Sequence, residues 1–170
     1  MLTFQRPDKR IRAFFSDIDG CQTDGGMYFG PEGQAIKRFN VKDGYIVAVL
    51  QQAGVKVIWV TADDSDISRA RARRLGIDEL VSGVKDKGIA LFELKEKYNL
   101  ETDETVYLGD DLNDLPAFAQ AGLTTCPADA VPQVLAVADY MAEHNGGHGA
   151  FREIADLILS WNDELEQVEE

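Results

Sequence analysis

The sequence predicts an α/β fold: a Rossmann-like three-layer sandwich with a central parallel sheet and an inserted β-hairpin. Three observations carry the prediction. Short apolar, β-rich runs alternate with helical patterns along the chain. Two of the first three helical patterns close on a glycine, where a C-terminal cap belongs. One segment breaks the alternation with turn chemistry at Gly-Pro and Glu-Gly. The first strand is RAFFSDI (12–18), and the second VKVIWVTA (55–62). ELVSG (79–83), TVYLGD (105–110) and LTTCP (123–127) are shorter strands. Helices are expected over 43–54, 65–76, 87–100 and 113–122, with glycines 54, 76 and 122 at their ends, and further helices over 130–138 and 149–162. Strands joined by helices of this length imply right-handed crossovers and a parallel sheet covered on both faces. Residues 23–42 read as two short strands around FGPEG, a hairpin inserted after the first strand.

The 170 residues form one domain, 1–170, with a C-terminal tail at 146–170. The net charge of −13 disfavours nucleic acid and anionic membranes as partners. No apolar run reaches the roughly 18 residues of a membrane span. The stretch MLTFQRPDKRIRAFF lacks the apolar core of a signal peptide. Two cysteines outside any CxxC pair fit free thiols in a cytoplasmic protein.

In an open parallel sheet, ligands sit at the carboxyl ends of the strands. Strand one ends in Asp17-Ile18-Asp19-Gly20, the next in Thr61-Ala62-Asp63, and the 105–110 strand in Gly109-Asp110-Asp111, with Asn113 and Asp114 following. Lys87 opens a helix just after the 79–83 strand. Carboxylates, a hydroxyl and an amine from distant parts of the chain thus share one edge. Hard oxygen ligands with room for water suit Mg²⁺. One carboxylate can attack phosphorus and another handle protons. A hydroxyl and an ammonium can hold phosphate oxygens. Alone, a DxD is a turn or a helix cap, and GDDxND is a good helix N-terminus. The ordered combination on these elements is what points to chemistry.

DIDGCQTDG, VTADD, GVKDKG and GDDLND, in that order, resemble the four motifs of the haloacid dehalogenase superfamily of phosphotransferases. The segments DGGMYFGPEGQAIKRFNVKDGYIV and GGHGAFREIADLIL resemble its capless 3-deoxy-D-manno-octulosonate 8-phosphate phosphatases. The resemblance implies a cytosolic, Mg²⁺-dependent enzyme that hydrolyses a sugar-acid phosphate through an aspartyl-phosphate. It also implies a homotetramer whose hairpins meet at the interface. By position, Asp17 matches the nucleophile. Asp19 matches the general acid/base, whose backbone carbonyl also binds metal. Thr61 and Lys87 match the phosphate-binding positions, and Asp110 the acidic metal ligand. The metal set is then Asp17, Asp19 and Asp110. Asp43, Gly44, Asp63, Gly147 and Arg152 are the substrate-binding candidates.

The sequence departs from the family pattern in two places. Cys21-Gln22 replaces an apolar pair after the nucleophile. Ala62-Asp63 stands where Gly-Arg or Ser-Arg is usual. A carboxylate at 63 can accept hydrogen bonds from sugar hydroxyls or hold an arginine such as Arg74. Relatives acting on nine-carbon sugar-acid 9-phosphates carry an acid there. A nine-carbon substrate of the sialic-acid type therefore stands beside the octulosonate of lipopolysaccharide. A third possibility is a non-catalytic assembly module, opposed by the intact motif residues. A mutase or phosphonatase would need a cap, and the intervals from Asp19 to Thr61 and from Thr61 to Lys87 leave no room for one.

Overall fold

The computed structural model describes residues 7–169. The start of the stretch read for a signal peptide, 1–6, and residue 170 of the tail lie outside the described residues. Eight strands and six helices follow the expected alternation: β1 (Ala13–Ser16), β2 (Tyr28–Gly30), β3 (Gly33–Ile36), α1 (Val41–Gln52), β4 (Lys56–Val60), α2 (Asp66–Leu75), β5 (Glu79–Val81), α3 (Lys87–Tyr98), β6 (Thr105–Leu108), α4 (Leu115–Phe118), β7 (Leu123–Cys126), α5 (Pro132–Leu135), β8 (Tyr140–Met141) and α6 (Ala150–Glu169). The main sheet runs β5-β4-β1-β6-β7-β8, and every pairing in it is parallel. The order reverses between β1 and β6, so the ends of these two strands flank the switch point where ligands bind.

Side chains alternate across the sheet because the strand period is two. Phe14, Val57, Trp59, Val106 and Leu108 face a core completed by Ile46, Val47 and Leu50 of α1 and by Phe151, Ile154 and Ile158 of α6. Phe15, Ile58, Val60 and Tyr107 face the opposite core with Leu91 and Leu94 of α3, Phe118 and Val134. Phe14 stacks on Phe151, with ring centroids 4.6 Å apart, and so ties the first strand to the last helix. Trp161 is buried in the first core, which α6 closes. No helix among the described residues is long and apolar enough to cross a membrane.

Three expectations are corrected. The 113–122 helix reduces to one 3-10 turn (Leu112–Asp114) and the four residues of α4. Asp111 and Asp114 bind each other's backbone in a capping box there, and Pro116 lacks a donor. Gly122 is thus not a helix cap; it lets the chain pass Thr102, whose carbonyl oxygen would lie 2.2 Å from a Cβ. The 130–138 helix shrinks to α5. The last helix instead outruns its expected end at 162, reaching Glu169. Strand β8 has no signature in the sequence, since it is two residues long at the sheet's edge. Helices α2 and α3 end in left-handed residues, Gly76 and Asn99.

The hairpin forms its own two-stranded antiparallel sheet around Pro31 and Glu32. Its base is closed by a bridge between Thr23 and Phe39, and Asn40 caps α1 immediately after it. No cap domain follows either interval.

Phe14 is fully buried and stacked. Phe14→Ala is expected to lower unfolding free energy by about 3–5 kcal/mol, the cost of a buried aromatic truncated to a cavity. Urea unfolding measures it; a loss below about 1 kcal/mol would mean the core collapses around the gap.

Candidate active site

Strand β1 ends at Ser16, so Asp17 emerges at the sheet's carboxyl edge, its N–H donating to the Leu108 carbonyl of β6 at 2.9 Å. Asp110 follows β6 on the other side of the switch point. Gly20 allows the loop after β1 to touch it: a Cβ on Gly20 would lie 2.0 Å from Asp110 Oδ2, and φ there is +86°. Lys87, the first residue of α3, reaches in from the β5 side. Its ammonium donates to Asp17 Oδ2 at 2.8 Å and to Asp114 Oδ1 at 2.7 Å.

Asp114 is saturated. Oδ1 accepts from Lys87 and from the Tyr107 hydroxyl at 2.8 Å. Oδ2 accepts from the backbone N–H groups of Asp110 and Asp111 at 2.9 and 3.2 Å. Its task is to hold Lys87 and the 109–111 turn. Asp17 differs: Oδ2 is held by Lys87, whereas Oδ1 is buried and has no protein partner. An acceptor buried in that state needs a ligand.

Asp17, Asp110 and Asp114 have ligand oxygens within 4.8 Å of one another. Three carboxylates here face one ammonium. Burial, and then the negative charge of Asp114, push Asp17 up to about 7 despite Lys87. Burial, followed by the charges of Asp17 and Asp114, pushes Asp110 up to about 8. Burial by itself would lower Lys87, but the charges of Asp17 and Asp114 outweigh it and raise the group, which stays protonated. The excess negative charge and the hard oxygen donors together fit a divalent cation such as Mg²⁺. Asp110 offers an oxygen to it, and Asp17 Oδ2 has one acceptor site left beside its bond from Lys87; Asp114 has none to spare.

The other expected residues divide into two groups. Thr61 directly follows β4, is buried, and its hydroxyl accepts from the Asp63 N–H at 3.1 Å. Asp19 and Asp63 both pair with Lys37, at 2.7 and 2.9 Å. Lys37 is therefore the cation beside Asp63, the place in which Arg74 was considered. Burial opposes ionisation of Asp63, but hydrogen bonds from Ser65, Lys37 and Ser68 hold its carboxyl down to about 2.

Asp43, Gly147 and Arg152 belong to a second constellation, where the tail meets the start of α1. Asp43 Oδ1 accepts from the Arg152 N–H at 2.9 Å and so caps α6 from another helix. The Gly147 N–H donates to the Cys21 carbonyl at 3.0 Å. The packing is closest at Gly146, where a Cβ would lie 1.7 Å from the Gly20 carbonyl oxygen. The glycine run thus braces the loop that follows Asp17. Gly44 lets Arg71 approach α1, 2.5 Å from where a Cβ would stand. The Arg152 guanidinium pairs with Asp156 at 2.8 Å. It lines a groove of about 710 Å³ together with Lys42, Tyr140, His144 and His148. Cys21 is buried with its thiol 3.5 Å from Asp110 Oδ1, and burial holds that thiol protonated.

Lys37 was not among the expected site residues. The sequence has one weak signal for it: in AIKRF two cations are adjacent, and a strand-like period of two sends one inward and one outward. Nothing in the pattern says which. The structure turns Lys37 in and leaves the Arg38 side chain 46% exposed.

A buried cluster that gathers a half-free aspartate, two further carboxylates and a lysine at the switch point of a parallel sheet has the parts for phosphate-ester chemistry. Comparison with known proteins agrees. The model for haloacid dehalogenase-like hydrolases matches residues 62–154. The 3-deoxy-D-manno-octulosonate 8-phosphate phosphatase of Yersinia pestis is 40% identical over 156 residues, covering 92% of this chain and 83% of the relative. The cobalt-bound deoxy-D-mannose-octulosonate 8-phosphate phosphatase of Haemophilus influenzae superposes with a TM-score of 0.88 at 38% identity, covering 91% of this chain and 90% of that one. The Moraxella catarrhalis enzyme, in complex with magnesium, phosphate and the sugar acid, gives 0.86 at 35% identity, over 93% and 91%. The chain belongs to the haloacid dehalogenase-like hydrolases and, within them, to the capless 3-deoxy-D-manno-octulosonate 8-phosphate phosphatase family. Membership in this family makes it a phosphoric monoester hydrolase.

The carboxyl shifts set a pH dependence. Asp17 and Asp110 ionise near 3.8 ordinarily but at about 7 and about 8 in the fold. Between those limits the folded state binds more protons, so the metal-free protein loses stability as pH rises. A cation that binds the ionised cluster restores it. The rise in melting temperature on adding Mg²⁺ is expected to be larger near pH 8 than near pH 5; an equal rise at both would contradict the placement.

Proposed function

We propose that this chain removes phosphate from 3-deoxy-D-manno-octulosonate 8-phosphate through an aspartyl-phosphate on Asp17. The observation that carries the reading is the division of labour within Asp17, one oxygen held by Lys87 and the other buried without a protein partner. Fixing one oxygen aims the other, and aim is most of what a nucleophilic carboxylate needs. That oxygen attacks phosphorus while the bond to the ester oxygen breaks. Asp19 gives its proton to the departing sugar oxygen. It then takes a proton from the water that attacks the aspartyl-phosphate, which frees inorganic phosphate and restores Asp17. The Thr61 hydroxyl and Lys87 hold the transferring oxygens. Asp17, Asp110 and the Asp19 carbonyl would hold Mg²⁺, which would supply positive charge for a phosphate dianion and its transferring oxygens.

The substrate assignment rests on the named relatives, which act on the octulosonate phosphate. Phosphate release from eight- and nine-carbon 2-keto-3-deoxy acid phosphates tests it. Higher kcat/KM on the eight-carbon substrate is expected; preference for the nine-carbon substrate would overturn the assignment and follow from the acid at position 63. Asp17→Asn is expected to lower kcat about a thousandfold or more, roughly 4 kcal/mol. Because the substitution removes a buried repelled charge, the variant should melt no lower than the parent in the absence of Mg²⁺. Substantial turnover by it would refute the mechanism.

We further propose a cytoplasmic homotetramer assembled through the hairpin. A two-stranded hairpin is marginal alone in water. Tyr28, Phe29 and Ile36 on it are 56%, 71% and 59% exposed, an apolar surface that calls for a partner. Light scattering at micromolar concentration is expected to give four chains, and Phe29→Glu with Ile36→Glu to dissociate them; a monomeric parent with full activity would contradict the assembly.

A further inference from the structure

Lys37 lies at the base of the hairpin, between the end of β3 and the bridge from Phe39 to Thr23. Its side chain is wholly buried. An ammonium has three protons to give, and three acceptors meet them: Asp19 Oδ2 at 2.7 Å, Asp63 Oδ2 at 2.9 Å and Ser68 Oγ at 3.2 Å. The acceptors are themselves fixed. The Ser68 hydroxyl donates to Asp63 Oδ2 at 3.0 Å, and the Ser65 N–H and hydroxyl donate to the same oxygen. Ser65 caps α2, so this end of the network is anchored in a helix. Asp19 has little else to hold it: among the described residues its carboxylate meets, besides Lys37, only the Thr23 hydroxyl, at 3.5 Å.

We propose that Lys37 is a positioning residue for Asp19: anchored through Asp63 and Ser68 to the start of α2, it fixes the carboxylate that serves the departing oxygen. The inference rests on the role given to Asp19 above. Asp63 then acts as the counter-anchor of Lys37, and the hairpin gains a direct connection to the site. Loss of Lys37 leaves Asp17, Lys87, Thr61 and the cation position in place but lets Asp19 leave its alignment. The defect is therefore specific to proton delivery.

Proton delivery matters in proportion to the basicity of the leaving group. A sugar alkoxide needs its proton as the ester bond breaks, whereas p-nitrophenolate leaves without one. The test compares kcat and KM of the parent and Lys37→Met on 3-deoxy-D-manno-octulosonate 8-phosphate and on p-nitrophenyl phosphate, with saturating Mg²⁺. The expected result is a fall in kcat of about tenfold or more on the sugar phosphate, roughly 1.4 kcal/mol. On the aryl phosphate kcat should stay within about threefold, and neither KM should move much. Removing one partner of a buried pair can unfold a protein, whereas removing both is far milder. Lys37→Met with Asp63→Asn therefore gives the same comparison of kcat between the two substrates if the single variant fails to fold, with KM left out because Asp63 is a substrate-binding candidate. In an Asp19→Asn background, Lys37→Met should change the ratio between the two substrates no further, since both act through one group. An equal fall on both substrates, no fall on either, or an additive effect with Asp19→Asn would overturn the proposal. A parent enzyme inert to both substrates would instead overturn the phosphatase reading, and this inference with it.

Discussion

One ammonium group organises the catalytic edge. Lys87 stands between Asp17 and Asp114 in a buried space where Asp110 adds a third carboxylate. Charges this close in low dielectric interact strongly, and three acids against one base leave an imbalance that the protein does not relieve by itself. Much of the local architecture follows from this. Asp114 is satisfied with four donors. Asp17 and Asp110 are not, and their carboxyls rise to about 7 and about 8. The fold thus holds a site whose negative charge is balanced either by protons or by a cation, and a cation held by those acids is what a phosphate dianion needs on approach.

Two distant parts of the chain steady this arrangement. The glycine run at 146–147 packs so tightly on the loop after Asp17 that no side chain fits between them. Asp43 locks that run to α1 by capping the backbone of Arg152. The base of the hairpin approaches from the opposite direction and places Lys37 between Asp19 and Asp63. Residues that a motif reading assigns to substrate thus also have structural work. Asp43 spends one oxygen on the tail backbone, and Gly147 holds the Cys21 carbonyl.

Most of the fold was legible because long elements with strong patterns announce themselves. VKVIWV and KGIALFELKEKY could hardly be anything but a buried strand and a helix. Short elements at the edges could not be read: β8 pairs only two residues, and α4 and α5 are single turns whose lengths depend on capping and on Pro116 and Pro132. Asp17, Thr61, Lys87 and Asp110 were legible as neighbours along one edge because each sits at a strand end or helix start, positions that topology brings together. Lys37 and Tyr107 were not. Lys37 arrives from an insertion outside the alternating pattern, and Tyr107 is indistinguishable in sequence from the core aromatics around it. The partner of Asp63 was hidden for the same reason: side-chain pairing across an insertion leaves no trace in spacing.

The central claim is that the oxygen of Asp17 left without a protein partner takes the phosphoryl group, and it can be read chemically at a single residue. Acid quenching during turnover, followed by borohydride, reduces an aspartyl-phosphate to homoserine, which peptide mass spectrometry locates. Homoserine at position 17, dependent on both substrate and Mg²⁺, is the expected result. Homoserine at another aspartate, or none at any position while phosphate is being released, would contradict it.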